Sequence, residues 1–514
     1  MERRILNLTE KLQRVTLGER LKTYADSDFY PYHMPGHKRN LEAVLRTAPP
    51  REAEAAAPRR QTSSSTQILA SAARLDITEI DGFDNLHEPE DILKEVMERA
   101  ARLYGADAAY YSVNGSTAGL LTAISAAVPE GGRILMARNC HKAVYHAVYL
   151  RHLEPVYLYP ETIPGLGIAG AVTAKQVEEA LLQNPSAAAV LITSPSYDGI
   201  TADVEKLAEL THRYGKVLIV DAAHGAHFGF HPAFPANPVR LGADLTIVSL
   251  HKTMPCMTQT ALLMVRGQRV SRERLRLFEG IYQTSSPSYV LMASMDACMA
   301  AVEEQKSALW DDFEVQRQQF LEETKGLKWL QVITKGRFPM ENEPGFSGIL
   351  MDPGKILLKS LKRCLTGKQF YDILLKQYHL QMEMAAGDYV TAIMTCCDKE
   401  EGWKRLAEAL REIDGQLEAC GGEAAAQVQQ VPYPRLEAAC SLTAALDAPK
   451  EQVPVKEAVG RIAGTFVNLY PPGIPIAVPG ERLNEDAVKL FLRYQQERLP
   501  LQGVCGDAIT VSII

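Results

Sequence analysis

The sequence has no long apolar run, because none approaches the roughly 20 residues that a membrane-spanning helix needs. Residues 1–15 alternate charged and apolar side chains and lack the uninterrupted apolar core of a signal peptide. The nine cysteines are odd in number, and their spacing forms neither a disulfide framework nor a paired metal-ligand motif. These absences argue against a membrane protein and a metal site and predict a cytoplasmic protein.

A strong net charge is also missing. The 55 Lys and Arg residues against 62 Asp and Glu residues give a net charge of −7. This balance argues against nucleic acid as the main partner and is compatible with cationic substrates. The 46% of hydrophobic residues are ordinary for a globular protein, and the 514 residues suffice for two or three domains.

Short apolar runs alternate with helical patterns from about residue 73. Strand-like runs occupy residues 108–113, 133–137, 156–159, 187–193, 217–220, 245–250 and 261–265, and helical patterns include residues 115–128, 174–182 and 204–214. This alternation predicts βαβ units and an α/β domain with a mostly parallel sheet covered on both faces. Ligands of such sheets bind beyond the carboxyl ends of the strands.

Composition predicts a division of the chain into four segments. They are an N-terminal helix, loop motif and mobile Ala/Pro/Arg-rich insertion (1–72), a large α/β domain (73–310), a small α+β domain (311–420) and a C-terminal module (430–514). The piece rich in Gln and Ala at residues 416–430 is typical of a linker.

A lysine and an aspartate form the most informative pair. Lys252 follows an apolar strand in the segment SLHKT, and Asp221 ends an earlier strand. Pyridoxal 5'-phosphate (PLP) chemistry requires such a pair, because the lysine forms a Schiff base with the cofactor aldehyde. The aspartate keeps the pyridine nitrogen protonated, so the ring accepts electrons. An aspartate after a strand often only caps the next turn, but with Lys252 the cofactor role is favoured.

A second feature is the turn at residues 114–117, which opens a helix of small residues. Free backbone N–H groups meet the hydroxyls of Ser116 and Thr117 there, which predicts a phosphate site. The turn by itself would be an ordinary helix cap. Ser249 and His251 could add donors to the phosphate, and His141 could stack on the cofactor ring.

These residues belong to a longer series of motifs. Residues 249–255 with Thr258 and Gln259 resemble the PLP-attachment signature of the ornithine/lysine/arginine decarboxylases, which are fold type I enzymes with an aspartate aminotransferase-like large domain. The resemblance continues through HMPGHK (33–38), DITE (76–79), DNLH (84–87), TSPSYDG (193–199), TSSPSY (284–289), YPPGIP (470–475) and PGE (479–481).

The resemblance implies a role for each site residue. Lys252, Asp221, His224 and His141 would be catalytic: Lys252 would carry the cofactor, Asp221 would pair with the ring nitrogen, His141 would stack on the ring, and His224 would lie near the cofactor hydroxyl or the substrate carboxylate. The phosphate would be held by Gly115, Ser116, Thr117, Ser249 and His251. Residues 284–286 would reach the phosphate of a neighbouring subunit, which implies a homodimer or higher homo-oligomer with shared active sites. The early position of HMPGHK implies a short form of the family.

The implied reaction is PLP-dependent decarboxylation of a basic L-amino acid to a polyamine-type amine and CO2, with arginine or lysine favoured and ornithine possible. Asp84 and Glu383 are candidates for binding the distal cation of the substrate, although acidic residues before a helix are usually capping groups. Two alternatives remain. An aminotransferase or lyase would typically use a dedicated arginine, and neither Arg435 nor Arg461 lies in a motif for that role. A non-catalytic PLP-binding homologue would most simply have lost Lys252.

Overall fold

The computed structural model describes residues 28, 30–32, 84–340, 348–362, 364–419, 434–469, 474–497, 499 and 501–514. The N-terminal helix, the insertion at residues 47–72 and the motifs at 33–38 and 76–79 were predicted for parts of the chain outside the described residues. Among the described residues, no helix combines the length and the apolar character needed to cross a membrane.

The strands are, in chain order, β1 (Tyr30–Tyr32), β2 (Ala108–Ser112), β3 (Arg133–Ala137), β4 (Glu154–Leu158), β5 (Ala187–Thr193), β6 (Val217–Asp221), β7 (Leu245–Ser249), β8 (Ala261–Val265), β9 (Leu330–Ile333), β10 (Lys355–Ser360), β11 (Leu380–Met382), β12 (Met384–Ala386), β13 (Tyr389–Ile393), β14 (Glu437–Ala438), β15 (Lys450–Pro454), β16 (Ile462–Ala463), β17 (Val467–Leu469), β18 (Ile474–Ala477), β19 (Glu481–Arg482), β20 (Leu501–Gln502), β21 (Val504–Cys505) and β22 (Ala508–Ser512). The helices are α1 (Ile92–Tyr104), α2 (Gly115–Ala127), α3 (Lys142–Leu150), α4 (Ala174–Gln183), α5 (Val204–Arg213), α6 (Leu250–Thr253), α7 (Arg272–Tyr282), α8 (Tyr289–Gln305), α9 (Asp311–Glu323), α10 (Gly367–Gln377), α11 (Glu400–Ala419), α12 (Leu442–Asp447) and α13 (Glu485–Gln496), with 3-10 turns at Lys306–Trp310 and Val455–Glu457.

A seven-stranded sheet in the order β2-β8-β7-β6-β5-β3-β4 forms the centre of the large domain. Neighbouring strands from β7 to β4 run parallel, and β8 is antiparallel to both of its neighbours. Strands β6, β7 and β8 are buried at every position, as expected for apolar strands covered on both faces. The predicted α/β fold with a mostly parallel sheet is therefore confirmed.

Alternate residues of the strands enter two separate cores. Ile134 and Met136 of β3 belong to the core that contains side chains of α2, α3 and α7, whereas Leu135 belongs to the core that contains side chains of α1, α4, α5 and α8. Close packing of α2 on the sheet depends on its small residues, because a Cβ at Gly119 would lie 3.1 Å from Cγ2 of Ile247. This approach brings the N-terminus of α2 to the carboxyl edge of the sheet.

Two smaller units follow the large domain. In the first, the antiparallel sheet β12-β13-β10-β9 packs with α10, helices α9 and α11 pack together, and the short strand β1 pairs with β11. The C-terminal unit contains the sheet β14-β19-β16-β22-β15, with β21 on β22, and the sheet β18-β17-β20. Its core surrounds Phe491 of α13. The smaller α+β region that was predicted is thus confirmed.

The prediction of a linker from residue 416 is wrong for its first residues, because α11 continues to Ala419. Leu406, Leu410, Ile413 and Leu417 are all buried. They recur at helical spacing and extend the apolar face of the helix into the segment rich in Gln and Ala.

A buried ion pair connects the C-terminal unit to the large domain. Nη2 of Arg138, just after β3, lies 2.9 Å from Oε2 of Glu481. Arg138 also donates to the carbonyl oxygen of Pro475 at 2.7 Å, and Glu481 accepts from the backbone N–H of Val478 at 2.9 Å. The pair holds β18 against the carboxyl edge of the central sheet.

Candidate active site

The carboxyl ends of three neighbouring strands carry the predicted catalytic pair and its surroundings. Thr193 ends β5, Asp221 ends β6 and Ser249 ends β7, and these strands lie side by side in the order β7-β6-β5. Lys252 follows in the single turn of helix α6. The parallel arrangement therefore brings the lysine and the aspartate to one edge of the sheet, as the sequence predicted.

These residues face a cavity of about 290 Å³. Its described lining comprises Gly115, Ser116, Thr117, Leu120, Asn139, His141, Thr193, Pro195, Tyr197, Asp221, Ala223, His224, Ser249, His251, Lys252, Glu383 and Ile474. The structure thus brings together every predicted catalytic and cofactor-binding residue, and also Glu383.

One end of the cavity offers hydroxyls and backbone donors. Oγ of Ser116 lies 2.6 Å from Oγ of Ser249. The Asn114 side chain forms no cap hydrogen bond with α2 and instead donates to the carbonyl oxygen of Tyr282 at 3.3 Å. Because a helix cannot satisfy its first N–H groups internally, the amides at the start of α2 remain available as donors. This end of the cavity suits an anion such as a phosphate.

His251 lines the same cavity, two residues after Ser249. Its Nδ1 lies 2.9 Å from the carbonyl oxygen of Thr260, so Nδ1 carries a proton and donates it. Burial, together with the charge of Lys252, lowers the pKa of His251 to about 4. The neutral ring therefore has its lone pair on Nε2, and Nε2 becomes a donor only when the ring takes up a second proton, which a neighbouring anion favours.

Asp221 is buried and Lys252 is half-buried, and loss of water shifts the pKa of both groups. Burial raises the pKa of Asp221, whereas the charge of Lys252 and the backbone N–H of Ala223 oppose this shift. Burial also lowers the pKa of Lys252, while the carboxylates of Asp221 and Glu383 oppose that shift. The lysine amine is therefore more readily neutral than a surface lysine, and the neutral amine is the form that attacks a carbonyl carbon.

His224 lies between two lysines. Its Nε2 is 3.0 Å from Nζ of Lys252, and its Nδ1 is 3.0 Å from Nζ of Lys355. Burial and the charges of both lysines hold the pKa of His224 well below its usual range. The ring of Tyr197 packs edge-on against the imidazole with centroids 4.8 Å apart.

His141 opens α3 and caps it with its own side chain. Its Nδ1 accepts from the backbone N–H of Ala143 at 3.2 Å, which leaves the proton on Nε2. Burial and the charge of Lys252 lower the pKa of His141 to about 3, so the ring is neutral. A neutral, rigidly held imidazole in the cavity wall suits contact with a flat ring.

Glu383 and Asp84, the two candidates for substrate binding, lie in different surroundings. Glu383 stands between β11 and β12, lines the cavity and accepts a hydrogen bond from the Tyr197 hydroxyl. Asp84 is not among the lining residues of the cavity. Its carboxylate accepts backbone N–H groups of residues 85, 90, 91 and 93 around the start of α1. Asp84 thus stabilises the turn before a helix, which agrees with the capping role given above as the alternative to substrate binding.

Lys355 was missed by sequence reasoning, although it left a signal. It begins β10 inside the apolar run that continues with Ile356, Leu357 and Leu358, and it is fully buried. Lysine is almost never fully buried without a partner, so a lysine that opens a buried strand marks a special site. Tyr197 and Thr193 lay in a recognised motif without an assigned role.

The chemistry of the lining fits PLP. The serine hydroxyls and α2 amides suit the phosphate, the Asp221 carboxylate suits a protonated ring nitrogen, and the Lys252 amine suits the aldehyde. In addition, Oγ1 of Thr193 is buried without a hydrogen-bond partner among the described residues. This hydroxyl can therefore bond to a ligand beside Asp221, the residue that pairs with Thr193 between β5 and β6.

Comparison with known proteins agrees with this chemistry. The chain matches the family model for the Orn/Lys/Arg decarboxylase major domain over residues 16–337 and that for the Orn/Lys/Arg decarboxylase C-terminal domain over residues 423–500. An arginine decarboxylase of Bacillus subtilis is 29% identical over 94% of this chain and 94% of its own length. The uncharacterized protein YaaO of the same organism is 34% identical over 95% of both chains. The fold resembles that of the Francisella novicida lysine decarboxylase LdcF, with a TM-score of 0.74 at 18% identity over 93% of this chain and 81% of that chain.

The predicted family and the predicted enzyme class are confirmed by these matches, because the major-domain model alone covers more than half of the sequence. The chain belongs to the Orn/Lys/Arg decarboxylase family.

Proposed function

We propose that this protein uses PLP to decarboxylate a basic L-amino acid, with arginine as the favoured substrate, and releases CO2 and a polyamine-type amine. The observation that carries this proposal is the placement of Lys252 and Asp221 at adjacent strand ends in one cavity with an anion-binding end. Arginine is favoured because the Bacillus subtilis relative matched over 94% of this chain is named arginine decarboxylase.

PLP, when bound, supplies a ring that accepts the electron pair left behind by CO2. In this proposal Lys252 holds the cofactor covalently, and Asp221 keeps a proton on the ring nitrogen. Gly115, Ser116 and Thr117 hold the phosphate through backbone and hydroxyl donors. Ser249 and His251 complete this phosphate site, and His141 covers one face of the ring.

The distal cation of the substrate is assigned to Glu383. This carboxylate lines the same cavity as Lys252, and the Tyr197 hydroxyl that donates to it restricts its orientation. Glu383 is half-buried, so its carboxylate has lost part of its hydration, and a well-aligned guanidinium or ammonium group offsets that loss. Glu383 therefore supports selection for a basic side chain.

The proton that replaces CO2 on the substrate carbon is assigned to His224 or Lys252. Nε2 of His224 lies 3.0 Å from Nζ of Lys252, the atom that would hold the cofactor. Both groups thus stand where a proton must be delivered, and a positioned acid of this kind typically contributes about 10²- to 10⁴-fold in rate.

An aminotransferase is the main alternative for this set of residues. Such an enzyme typically binds the substrate carboxylate with an arginine, but no arginine is among the described residues that line the cavity. Arg461 pairs with Glu451 instead, and Cζ of Arg435 lies 5.2 Å from the centre of the Tyr159 ring. These placements favour decarboxylation.

The proposal also covers the oligomeric state, the cellular location and the metabolic role of the enzyme. We expect a homodimer whose residues 284–286 reach the active site of the partner, and a cytoplasmic role in polyamine biosynthesis. In the described chain, Thr284 lies outside the cavity lining, and its carbonyl oxygen is 2.8 Å from Nε2 of His87.

The proposal is tested by measuring CO2 release from arginine, lysine and ornithine separately, with purified protein saturated with PLP. We expect release from one preferred substrate, arginine first, and none from the Lys252→Ala variant. Retained PLP binding without CO2 from any of the three would refute the proposal. Conversion of a keto acid acceptor would then identify an aminotransferase.

A further inference from the structure

The row of side chains from Lys355 through His224 to Lys252 restricts where protons can lie. A neutral imidazole has one N–H and one lone pair, and an ammonium group can only donate. If both lysines were charged, one ammonium would face the N–H of His224 at 3.0 Å, donor against donor. Because burial keeps His224 neutral, the geometry is satisfied only when one of the two lysines is neutral.

The surroundings favour Lys355 as the charged member. Nζ of Lys355 lies 5.3 Å from the centre of the Tyr197 ring, a distance at which the face of the ring attracts a cation. Burial lowers the pKa of Lys355 to about 8, and the carboxylates of Asp352, Glu383 and Asp198 oppose this shift, so the ammonium form of Lys355 predominates at neutral pH. Lys252, in contrast, must be neutral to react with an aldehyde.

The backbone holds Lys355 rigidly in this place. Gly199 has a φ of +91°, and a Cβ at that position would lie 2.7 Å from both Cβ and Cγ of Lys355. The backbone N–H of Asp352 donates to the carbonyl oxygen of Gly199 at 2.8 Å, and the N–H of Lys355 donates to that of Asp352 at 3.1 Å. The turn after β5 and the start of β10 therefore form one packed unit around the lysine stem.

We propose that Lys355 is a positioning residue for His224: its ammonium group donates to Nδ1 and thereby keeps the only N–H of the imidazole on Nε2, directed at Nζ of Lys252. The lone pair of the neutral Lys252 amine accepts this hydrogen bond. Its consequence for catalysis rests on the function proposed above, in which Nε2–H faces the atoms that react.

This arrangement gives His224 a fixed role. With the proton on Nε2, the ring presents a donor to the substrate side of the cavity. When that proton leaves, the Lys355 ammonium group passes a proton to Nδ1, so the imidazole stays neutral. With the proton on Nδ1, the same ring would present a lone pair there and could deliver no proton. Lys355 decides between these states without lining the cavity itself, since it is not among the described lining residues.

The tautomer can be measured directly in the full-length protein labelled with 15N-histidine. The two ring nitrogens of His224 are assigned by the loss of their signals in a His224→Gln variant. In the cofactor-free protein, where the Lys252 amine can accept the hydrogen bond, we expect the shift of a protonated nitrogen for Nε2 and that of an unprotonated nitrogen for Nδ1. A wild-type ring protonated on Nδ1 would overturn the proposal without any variant at position 355.

The Lys355→Met variant removes the ammonium group and keeps a similar volume. We expect its His224 signals to move toward the Nδ1–H form and kcat for CO2 release to fall on the order of 10²-fold, with KM nearly unchanged. Lys359→Met is the matched control on the same strand, because Lys359 pairs with Asp388 and stands outside the described cavity lining. It should leave the signals and kcat unchanged.

The outcomes separate this inference from the proposed function. Wild-type CO2 release together with unchanged His224 signals in Lys355→Met would overturn the role of Lys355 and leave the decarboxylase intact. Absence of CO2 release from the wild type would overturn the function, while the 15N shifts would still decide the tautomer.

Discussion

Replacement of Asp221 by asparagine should impair catalysis strongly and leave the fold intact. The carboxylate is 3% exposed and lies at a strand end that cannot open to water without disturbing the sheet. Removal of one partner from a buried charge pair costs about 3–5 kcal/mol, and each 1.36 kcal/mol changes a rate about tenfold. If the loss falls on the transition state, kcat should decrease by roughly 10²- to 10⁴-fold.

The assay is the initial rate of CO2 release at saturating arginine and PLP. Asp203→Asn provides a matched control, because Asp203 caps α5 and asparagine caps a helix equally well. The control should retain wild-type activity. A kcat for Asp221→Asn within about threefold of the wild type would refute the assignment of Asp221 to the ring nitrogen.

Although Asp221→Asn should lower kcat, it should not lower the stability of the cofactor-free protein. Burial raises the pKa of Asp221 in the folded state, so the folded protein holds this proton more tightly than the unfolded chain. The resulting contribution to stability is fully present below the ordinary aspartate pKa and is lost as the pH rises through the raised value. Cofactor-free Asp221→Asn should therefore unfold at the same or a higher temperature than the wild type at neutral pH, and their difference should shrink in acid.

Three further predictions concern the phosphate site, the packing around Lys355 and the ion pair between the C-terminal unit and the large domain. Ser116→Ala should weaken PLP binding by about 10- to 100-fold in an absorbance titration, because a hydrogen bond to a charged group contributes about 1.5–3 kcal/mol; unchanged affinity would contradict the phosphate assignment. Gly199→Ala should reduce kcat, because the new Cβ would lie 2.7 Å from the stem of Lys355; wild-type kcat would show that this packing is not needed. Arg138→Met should destabilise the protein by about 3–5 kcal/mol in denaturant unfolding, because it leaves Glu481 buried without its partner. Adding Glu481→Met should recover part of that loss, and equal or greater destabilisation of the double variant would refute this account.

Much of the large domain could be predicted because its signals are local. The apolar runs that end at Asp221 and Ser249 have the length and composition of buried strands, and the predicted bounds of β6 and β7 differ from those in the structure by one residue. Parallel strands with short connections place their carboxyl ends together, so the proximity of Lys252 to Asp221 followed from the order of elements alone. The start of α2 was recognised for the same reason, since small residues and hydroxyls there follow a strand directly.

The surroundings of His224 could not be predicted in this way. Lys355 and Glu383 follow Lys252 by more than 100 residues. Lys355 lies in the sheet β12-β13-β10-β9, and Glu383 lies between β11 and β12. Their approach depends on how the smaller sheet packs against the large domain, and a single sequence contains no local signal for that packing. Asp84, in contrast, was suggested as a substrate-binding residue by its acidic neighbours in the sequence. In the structure its carboxylate accepts backbone hydrogen bonds and stabilises a turn.

The sequence by itself determined the family, the mostly parallel sheet and the lysine–aspartate pair, because each depends on residue type, periodicity and the order of neighbouring elements. Only the tertiary structure decided which acidic residue lines the cavity and which lysine faces Nδ1 of His224. Those contacts join side chains that are distant in the sequence and are set by the burial of Lys355 against Gly199 and Tyr197. Burial also decides the protonation of the site, because the pKa of each group depends on the water and charge that the folded chain leaves around it.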